Sequence, residues 1–287
     1  MRLNEKEWWN EYGDLVERIW IYDDYLTEVV RRDYLTEMQD FLFKPGGRLL
    51  DFGCGTGWLS LPLARRGMAV DGIDSSEAQI RKAREQAQIQ GLTNTRFWCA
   101  DRISDEQRGV YNAILLHALV HHIPVEQRQA FLRSVADALL VEGRLYLYEP
   151  LMATANPPWQ AWVADKLMGG VFRGLRWVAL SAHLYEPEIE AAVRAGWTMR
   201  SPEEQPSRLD ELLHLLPPQL SVVRISPWHC WSIEYANFCM SLRPGWRRRF
   251  ERAAPVFYQV DRHVRVTRWY PYLRSWPMVS ILAEKHE

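Results

Sequence analysis

Three carboxylates follow three apolar runs at a spacing that could hold a nucleoside. In "LLDFGCGTG", residues 49–57, the run ends at Asp51 and passes into Gly53, Gly55 and Gly57. Glycines here let the backbone turn tightly and let a ligand approach the main chain. "MAVDGID" ends at Asp74 and "TRFWCAD" at Asp101. A carboxylate at 74 could accept from both hydroxyls of a ribose, and one at 101 from an exocyclic adenine amine. Asp51 would then face a cationic end of the ligand. The glycine loop holds no Lys or Arg and no G-K-[ST] follows it, so a triphosphate is poorly served. The spacing is G-x-G-x-G, not the G-x-G-x-x-G of dinucleotide folds.

A second set of residues could move a proton. His117, His121 and His122 cluster after a fourth apolar run, "YNAILLHA", and Glu149 follows a fifth, "RLYLYEP". An imidazole near its ordinary pKa can take a proton from a hydroxyl, so these four are general-base candidates. His117 and His121 have the i, i+4 spacing of a helical metal pair, but no adjacent Cys or carboxylate completes a set, and no metal site is expected. Farther on, Arg243, Arg247, Arg248, Arg249, Arg252, Arg262, Arg265, Arg268 and Arg274 stand against only Glu251 and Asp261. They read as a solvated face, or as a site for an anionic acceptor or a membrane surface around Arg247, Arg248 and Arg249.

The elements that must position these groups alternate. The five apolar runs are predicted strands. Between them, "WLSLPLARRG" stops at Gly67 and "SSEAQIRKAREQAQIQG" runs from a Ser75 or Ser76 cap to Gly91. "PVEQRQAFLRSVADALLVEG" runs from Pro124 to Gly143. Strands separated by helices of this length imply a doubly wound parallel α/β sheet that binds ligands at the carboxyl ends of its strands. Residues 1–45 read as a helical cap. Residues 151–185 hold an amphipathic helix with Trp159, Trp162, Val163 and Leu167 on one face. "EPEIEAAVRAGWTMRS" predicts a helix and a strand, and "WPMVSILAEK" a last strand. The cofactor-binding core is thus expected at 46–202 and 277–287, with 203–276 inserted as a substrate cap.

S-adenosylmethionine fits the polar set: adenosine, a sulfonium, an amine and a carboxylate. "LLDFGCGTGWLSLPLARRG", "VDGIDSSEAQIRKAR", "FWCAD" and "YNAILLHALVHHI" together resemble the first four motifs of class I S-adenosylmethionine-dependent methyltransferases, in the branch acting on small molecules and lipids. The resemblance covers roughly residues 46–150. It implies a Rossmann-like seven-stranded fold and methyl transfer to a small-molecule, lipid or glycan-type acceptor, with O-methylation favoured over N or C. It places Asp51, Gly53, Cys54, Gly55 and Gly57 around the methionine moiety. Asp74, with Ser75, falls at the ribose and Asp101, with Arg102, at the adenine. His117 falls near the methyl, and His122 matches a histidine common in that branch. The other outcome is the same fold using bound cofactor for a different role, or as a binding protein.

Bulk properties narrow the setting. The 287 residues carry a formal net charge of −1, which gives no reason to expect nucleic-acid binding. Four scattered cysteines without a C-x-x-C pair, and a start without an apolar signal core, predict a cytoplasmic setting. No run of about 18 apolar residues suggests a membrane span. "NPPW", from Asn156 to Trp159, resembles the signature of amino-directed nucleic-acid methyltransferases but falls after the fifth run instead of the fourth, and reads as a loop and helix start. Twelve of the 14 tryptophans lie outside 46–150, which predicts an aromatic acceptor pocket built from the flanks.

Overall fold

The computed structural model describes residues 4–152, 157–197, 201–268, 270, 273 and 277–287. Asn156, Arg274 and the strand expected around 198–200 lie outside these. The chain opens with α1 (Glu5–Trp20), then a short α2 (Asp24–Leu26), a π-helical stretch (Thr27–Arg31) and α3 (Arg32–Leu42). The core follows as β1 (Arg48–Phe52), α4 (Ser60–Arg65), β2 (Ala69–Asp74), α5 (Glu77–Ile89), β3 (Thr95–Cys99), β4 (Tyr111–His117), α6 (Val125–Ala138) and β5 (Leu139–Pro150). After it come α7 (Trp159–Ser181), α8 (Pro187–Arg194), α9 (Leu209–Leu215) and β6 (Leu220–Pro227). The chain closes with α10 (Trp231–Met240), α11 (Pro244–Phe250), α12 (Ala254–Val264) and β7 (Met278–Lys285).

The seven strands order as β3-β2-β1-β4-β5-β7-β6, with β1 to β5 parallel and β7 antiparallel to both neighbours. Strand pleating sends alternate residues to opposite faces. Leu49, Leu115, Tyr146 and Leu282 pack with α3, α4, α7 and α10 on one side. Leu50, Leu116, Leu147 and Ile281 pack with α6 and α9 on the other. The parallel centre of the sheet, around β1, β4 and β5, is therefore buried on both faces.

Local signals explain most boundaries. Asn4 caps α1: its side chain accepts from the Glu7 amide while the Glu7 carboxylate accepts from the Asn4 amide. Of the two expected caps, Ser76 is the one that accepts from the Gln79 amide at the start of α5.

Two differences from the sequence reading have physical causes. Helix α6 ends at Ala138, five residues before Gly143, because Leu139 pairs with Tyr111 and opens β5. The segment 203–276 does more than cover the site: Leu220–Pro227 hydrogen-bonds to β7 as the sheet's edge strand. Its period-2 pattern is weak because most of β6 is exposed.

Candidate active site

The carboxyl ends of β1, β2 and β4 open into one cavity of about 1440 Å³. Single-ligand pockets are commonly about 300–1,000 Å³, so this one has room for two occupants.

One side of it is built by the glycine loop. Gly53, Gly55 and Gly57 all have positive φ, at 76°, 52° and 76°. Their reasons differ. A Cβ on Gly55 would meet only the Gln79 side chain, at 3.8 Å, so this glycine faces open space where a ligand can lie against the backbone. A Cβ on Gly57 would press on the Phe97 ring at 3.1 Å, and Gly57 is not on the cavity wall; it serves helix–sheet packing.

Asp74 fixes the loop. Its carboxylate accepts from the Gly55 amide at 3.0 Å and the Ser76 amide at 2.8 Å, and burial pushes its pKa up. Asp51 is fully buried with Oδ2 unpartnered. Burial, with Asp74 beside it, raises its carboxyl to about 7. Thr56 Oγ1 and the Gln79 amide are also buried without hydrogen-bond partners among the described residues. Buried polar atoms ordinarily have partners. An amine, a carboxylate and ribose hydroxyls would supply them here, so the residues present fit S-adenosylmethionine. Ser75, Asp101 and Arg102 stand on the same wall, the latter two exposed at the rim. Cys54 is buried with its thiol held well above its ordinary pKa, so it is a packing group and not a nucleophile.

The far side is organised by the turn after β4. Glu149, at the end of β5, is buried and accepts from the amides of Leu119, Val120 and His121 at 2.8, 2.7 and 3.2 Å. It also meets His121 Nδ1 at 2.6 Å. Burial alone would raise its pKa, but His121 and these amides bring it below the usual carboxylate value. Glu149 is thus saturated with donors and holds His121 on the cavity wall. His117 is partly buried, stacked 4.6 Å from Tyr148, with Nε2 buried and unpartnered among the described residues. Burial and the Arg31 charge depress its pKa to about 3. His122 meets Glu5 and Ser201 through Nδ1, each at 2.9 Å, and the Glu203 amide donates to Glu5 at 3.1 Å. This knot ties the start of α1 to the β4 turn and to residues 201–203, with Glu5 and His122 on the cavity wall. Although burial opposes it, hydrogen bonds from His122 and Ser201 hold Glu5 down to about 2.

Several cavity residues were not foreseen: Glu5, Trp9, Thr56, Gln79 and Trp197. Thr56 lies within the glycine loop itself, whereas Glu5, Trp9, Gln79 and Trp197 are brought to the cavity by segments packing together and have no local signature. Gly13 is one trace of this packing. A Cβ there would lie 2.4 Å from Gln79 Nε2, so a larger residue at 13 would displace the Gln79 side chain where α1 crosses α5. The flanking tryptophans divide. Trp9, Trp20 and Trp197 line the cavity, whereas Trp159, Trp162 and Trp177 face outward. The buried face of α7 is instead Ala161, Phe172 and Ala179, small enough on either side of Phe172 for close packing. The cavity wall contains none of Arg247, Arg248 and Arg249. Arg247 donates to the carbonyls of Met240 and Leu242, and the other two are exposed.

Comparison with known proteins agrees with this geometry. Residues 49–143 match the family described as "Methyltransferase domain". The ubiquinone biosynthesis O-methyltransferase of Caulobacter sp. (strain K31) is 36% identical over 139 residues, 48% of this chain and 52% of that protein. The protein of the same name from Coxiella burnetii (strain Dugway 5J108-111) is 31% identical over 144 residues, 49% and 56% of the two chains. The chain thus spans about half the length of these curated relatives. Among solved structures, the [4+2]-cyclase SpnF superposes with a TM-score of 0.62 at 16% identity, covering 100% of this chain and 97% of that one. Geranyl diphosphate C-methyltransferase from Streptomyces coelicolor A3(2), solved with Mg2+, geranyl diphosphate and S-adenosyl-L-homocysteine, gives 0.52 at 15% identity over 88% of this chain and 79% of that one. With the strand order, the glycine loop and its acids at the strand ends, these matches show that residues 49–143 carry a methyltransferase domain, on a fold shared with class I S-adenosylmethionine-dependent methyltransferases.

Proposed function

We propose that the protein transfers the methyl of S-adenosylmethionine to a hydroxyl of a small aromatic or lipid-like acceptor that is, or becomes, anionic. One observation carries the reading: a single cavity has unpartnered cofactor-type acceptors and donors on one wall and aromatic rings with a His–Glu pair on the other. The O-methyltransferase relatives favour oxygen as the acceptor atom.

When bound, the cofactor supplies a methyl already activated by a sulfonium, so alignment matters most. The chain's part is to hold Asp74 against the ribose, with Ser75, Gly53 and Gly55 beside it, and Asp51 against the amine. Asp101 and Arg102 would border the adenine. The Glu5–His122 knot excludes water. His121 is the base we favour, because Glu149 orients its ring and would stabilise the imidazolium formed when it takes the hydroxyl proton. His117, held near 3, is a weak proton acceptor and acts as a neutral wall.

Arg31 points to the acceptor's charge. It is 1% exposed, and its three guanidinium nitrogens have no hydrogen-bond partner among the described residues. It lies 3.6 Å from the Tyr22 ring centroid and 4.9 Å from that of Trp58, which is on the cavity wall. A buried charge without a counter-ion is costly. A phenolate or carboxylate in the cavity would offset that cost, making Arg31, rather than Arg247, Arg248 and Arg249, the cation that meets an anionic acceptor.

The test is incubation with methyl-tritiated S-adenosylmethionine and a panel of phenols, catechols, hydroxy fatty acids and amines. Label in a phenol or catechol with stoichiometric S-adenosylhomocysteine supports the reading. The fold alone does not assign methyl transfer, since a cyclase shares it over the whole chain. Cofactor that raises the melting temperature while no panel member is labelled would favour a role in which the methyl is not transferred.

A further inference from the structure

Helix α7 carries a feature that the cavity does not use. Over its 23 residues the outward half is apolar: Trp159 and Trp177 are each 70% exposed, Leu167 66% and Trp162 52%, with Val171 and Val178 beside them. Trp159 and Trp177 are 18 residues apart, which is five turns at about 3.6 residues per turn. They therefore share one angular position roughly 27 Å apart at about 1.5 Å per residue. Lys166 and Arg173 are exposed between them, and among the described residues no exposed position of α7 bears a carboxylate. Monomeric proteins seldom expose a contiguous patch of this kind without a use for it.

Phe172, on the buried face of α7, meets Phe257 of α12 at 5.8 Å, so α12 packs under α7 on the side away from the tryptophans. Along residues 243–262, Arg243, Arg248, Arg249, Arg252 and Arg262 are exposed. Asp261 is buried, accepting from the amides of Cys230, Trp231 and Ser232 at the start of α10, and Glu251 is only partly exposed. Tryptophans along one face with interspersed Lys and Arg are the composition of a helix lying in a bilayer interface. No helix among the described residues is long and apolar enough to cross a membrane. The flank of α7, at Gly169, Arg176 and Leu180, borders the cavity.

We infer that the outer face of α7, through its tryptophans with Lys166 and Arg173 between them, docks the protein on an anionic lipid bilayer and sets the cavity mouth against the membrane surface. The occupant is the bilayer itself, chosen because its apolar interior matches the tryptophans and its anionic headgroups match Lys166 and Arg173 between them. The docking stands apart from the identity of the acceptor. A lipid-dissolved acceptor, entering along α7, rests on the proposed methyl transfer.

The experiment uses the full chain, without acceptor, and sucrose-loaded vesicles of phosphatidylcholine with and without one quarter phosphatidylglycerol. Co-sedimentation with the anionic vesicles, weakened by salt, is the expected result. The double variant Trp159→Ser/Trp177→Ser should abolish it. Lys166→Glu/Arg173→Glu should reduce the partition coefficient about tenfold or more, given roughly 1 kcal/mol per basic residue at an anionic surface. Unchanged melting temperature and S-adenosylhomocysteine affinity in both variants would show that fold and cofactor site are intact. Three results would overturn the inference: no sedimentation with either vesicle, sedimentation indifferent to both variants, or a dimer by ultracentrifugation that the tryptophan variant dissociates. None of these bears on methyl transfer in solution, so the two readings fail separately.

Discussion

The two walls of the cavity are made in different ways. The wall we assign to the cofactor comes from one stretch of chain: the β1 loop, the end of β2 and the turn after β3. Its backbone is locked by glycines with positive φ and by Asp74 bridging Gly55 and Ser76. The acceptor wall is assembled from distant segments, with Trp9 and Trp20 from α1, Tyr185 and Trp197 from around α8, and Ile233 and Asn237 from α10. One wall offers unpartnered polar atoms; the other offers rings and a buried cation held behind them. A rigid local loop can be kept for one invariant ligand, while the wall built by helix packing can change with the acceptor.

If the walls divide labour in this way, substitutions should separate chemistry from cofactor binding. The largest effect is expected at His121. His121→Ala should lower kcat by roughly 10²–10⁴-fold, the usual contribution of a positioned base. Cofactor affinity by calorimetry should stay within twofold. Glu149→Gln should follow it part of the way and shift the pH profile of kcat. Equal losses of affinity and kcat in both would merge the two walls into one structural unit.

Asp74→Ala should do the reverse. Charge-assisted hydrogen bonds to ribose would be lost, costing about 1.5–3 kcal/mol of cofactor affinity. The Gly55 and Ser76 amides lose their acceptor too, so Asp74→Asn, which keeps an acceptor oxygen, should lose less. Calorimetry showing unchanged affinity in a folded Asp74→Ala protein would remove Asp74 from the cofactor wall.

A smaller effect is expected from pH at Asp51. Its carboxyl is raised to about 7 in the folded protein and returns to about 4 on unfolding. The folded state therefore holds a proton that the unfolded chain releases. The stability this confers is complete below pH 4 and is lost as pH rises through 7. A cofactor amine needs the ionised form, so cofactor affinity should fall below pH 7 by up to about tenfold per unit. Asp51→Asn should flatten both trends. A melting temperature of the free protein that rises between pH 4 and 7 only when Asp51 is present would contradict the assignment.

The smallest effect belongs to the arginine run. Arg248→Ala and Arg249→Ala should each change stability by no more than about 0.5 kcal/mol, since both are exposed. Arg247→Ala should cost more, about 1 kcal/mol, because its guanidinium donates to the carbonyls of Met240 and Leu242. Neither cofactor affinity nor the KM for a water-soluble phenol should move. A tenfold rise in that KM would return these arginines to the acceptor wall.

The sequence by itself determined the sheet of β1 to β5, the helices between them, and the glycine loop with Asp51 and Asp74 at its strand ends. Those depend on short-range physics: apolar runs of strand length, Ser76 as a cap, and glycine where the backbone must be left-handed. It also singled out His121 and Glu149, though as separate bases and not as a pair. Only the tertiary structure decided that Glu149 is saturated by the β4 turn, because three amides converge on it from residues 28 to 30 positions away. Likewise, spacing put Trp159, Trp162 and Leu167 on one face of α7, but periodicity cannot say whether such a face turns in or out. That was decided by Ala161, Phe172 and Ala179, which pack closely on the helices beneath and leave the tryptophans to the surface. β6 was illegible for a related reason: an edge strand with its outer residues exposed has little hydrophobic alternation, and its place is set by hydrogen bonds to β7 more than 50 residues away.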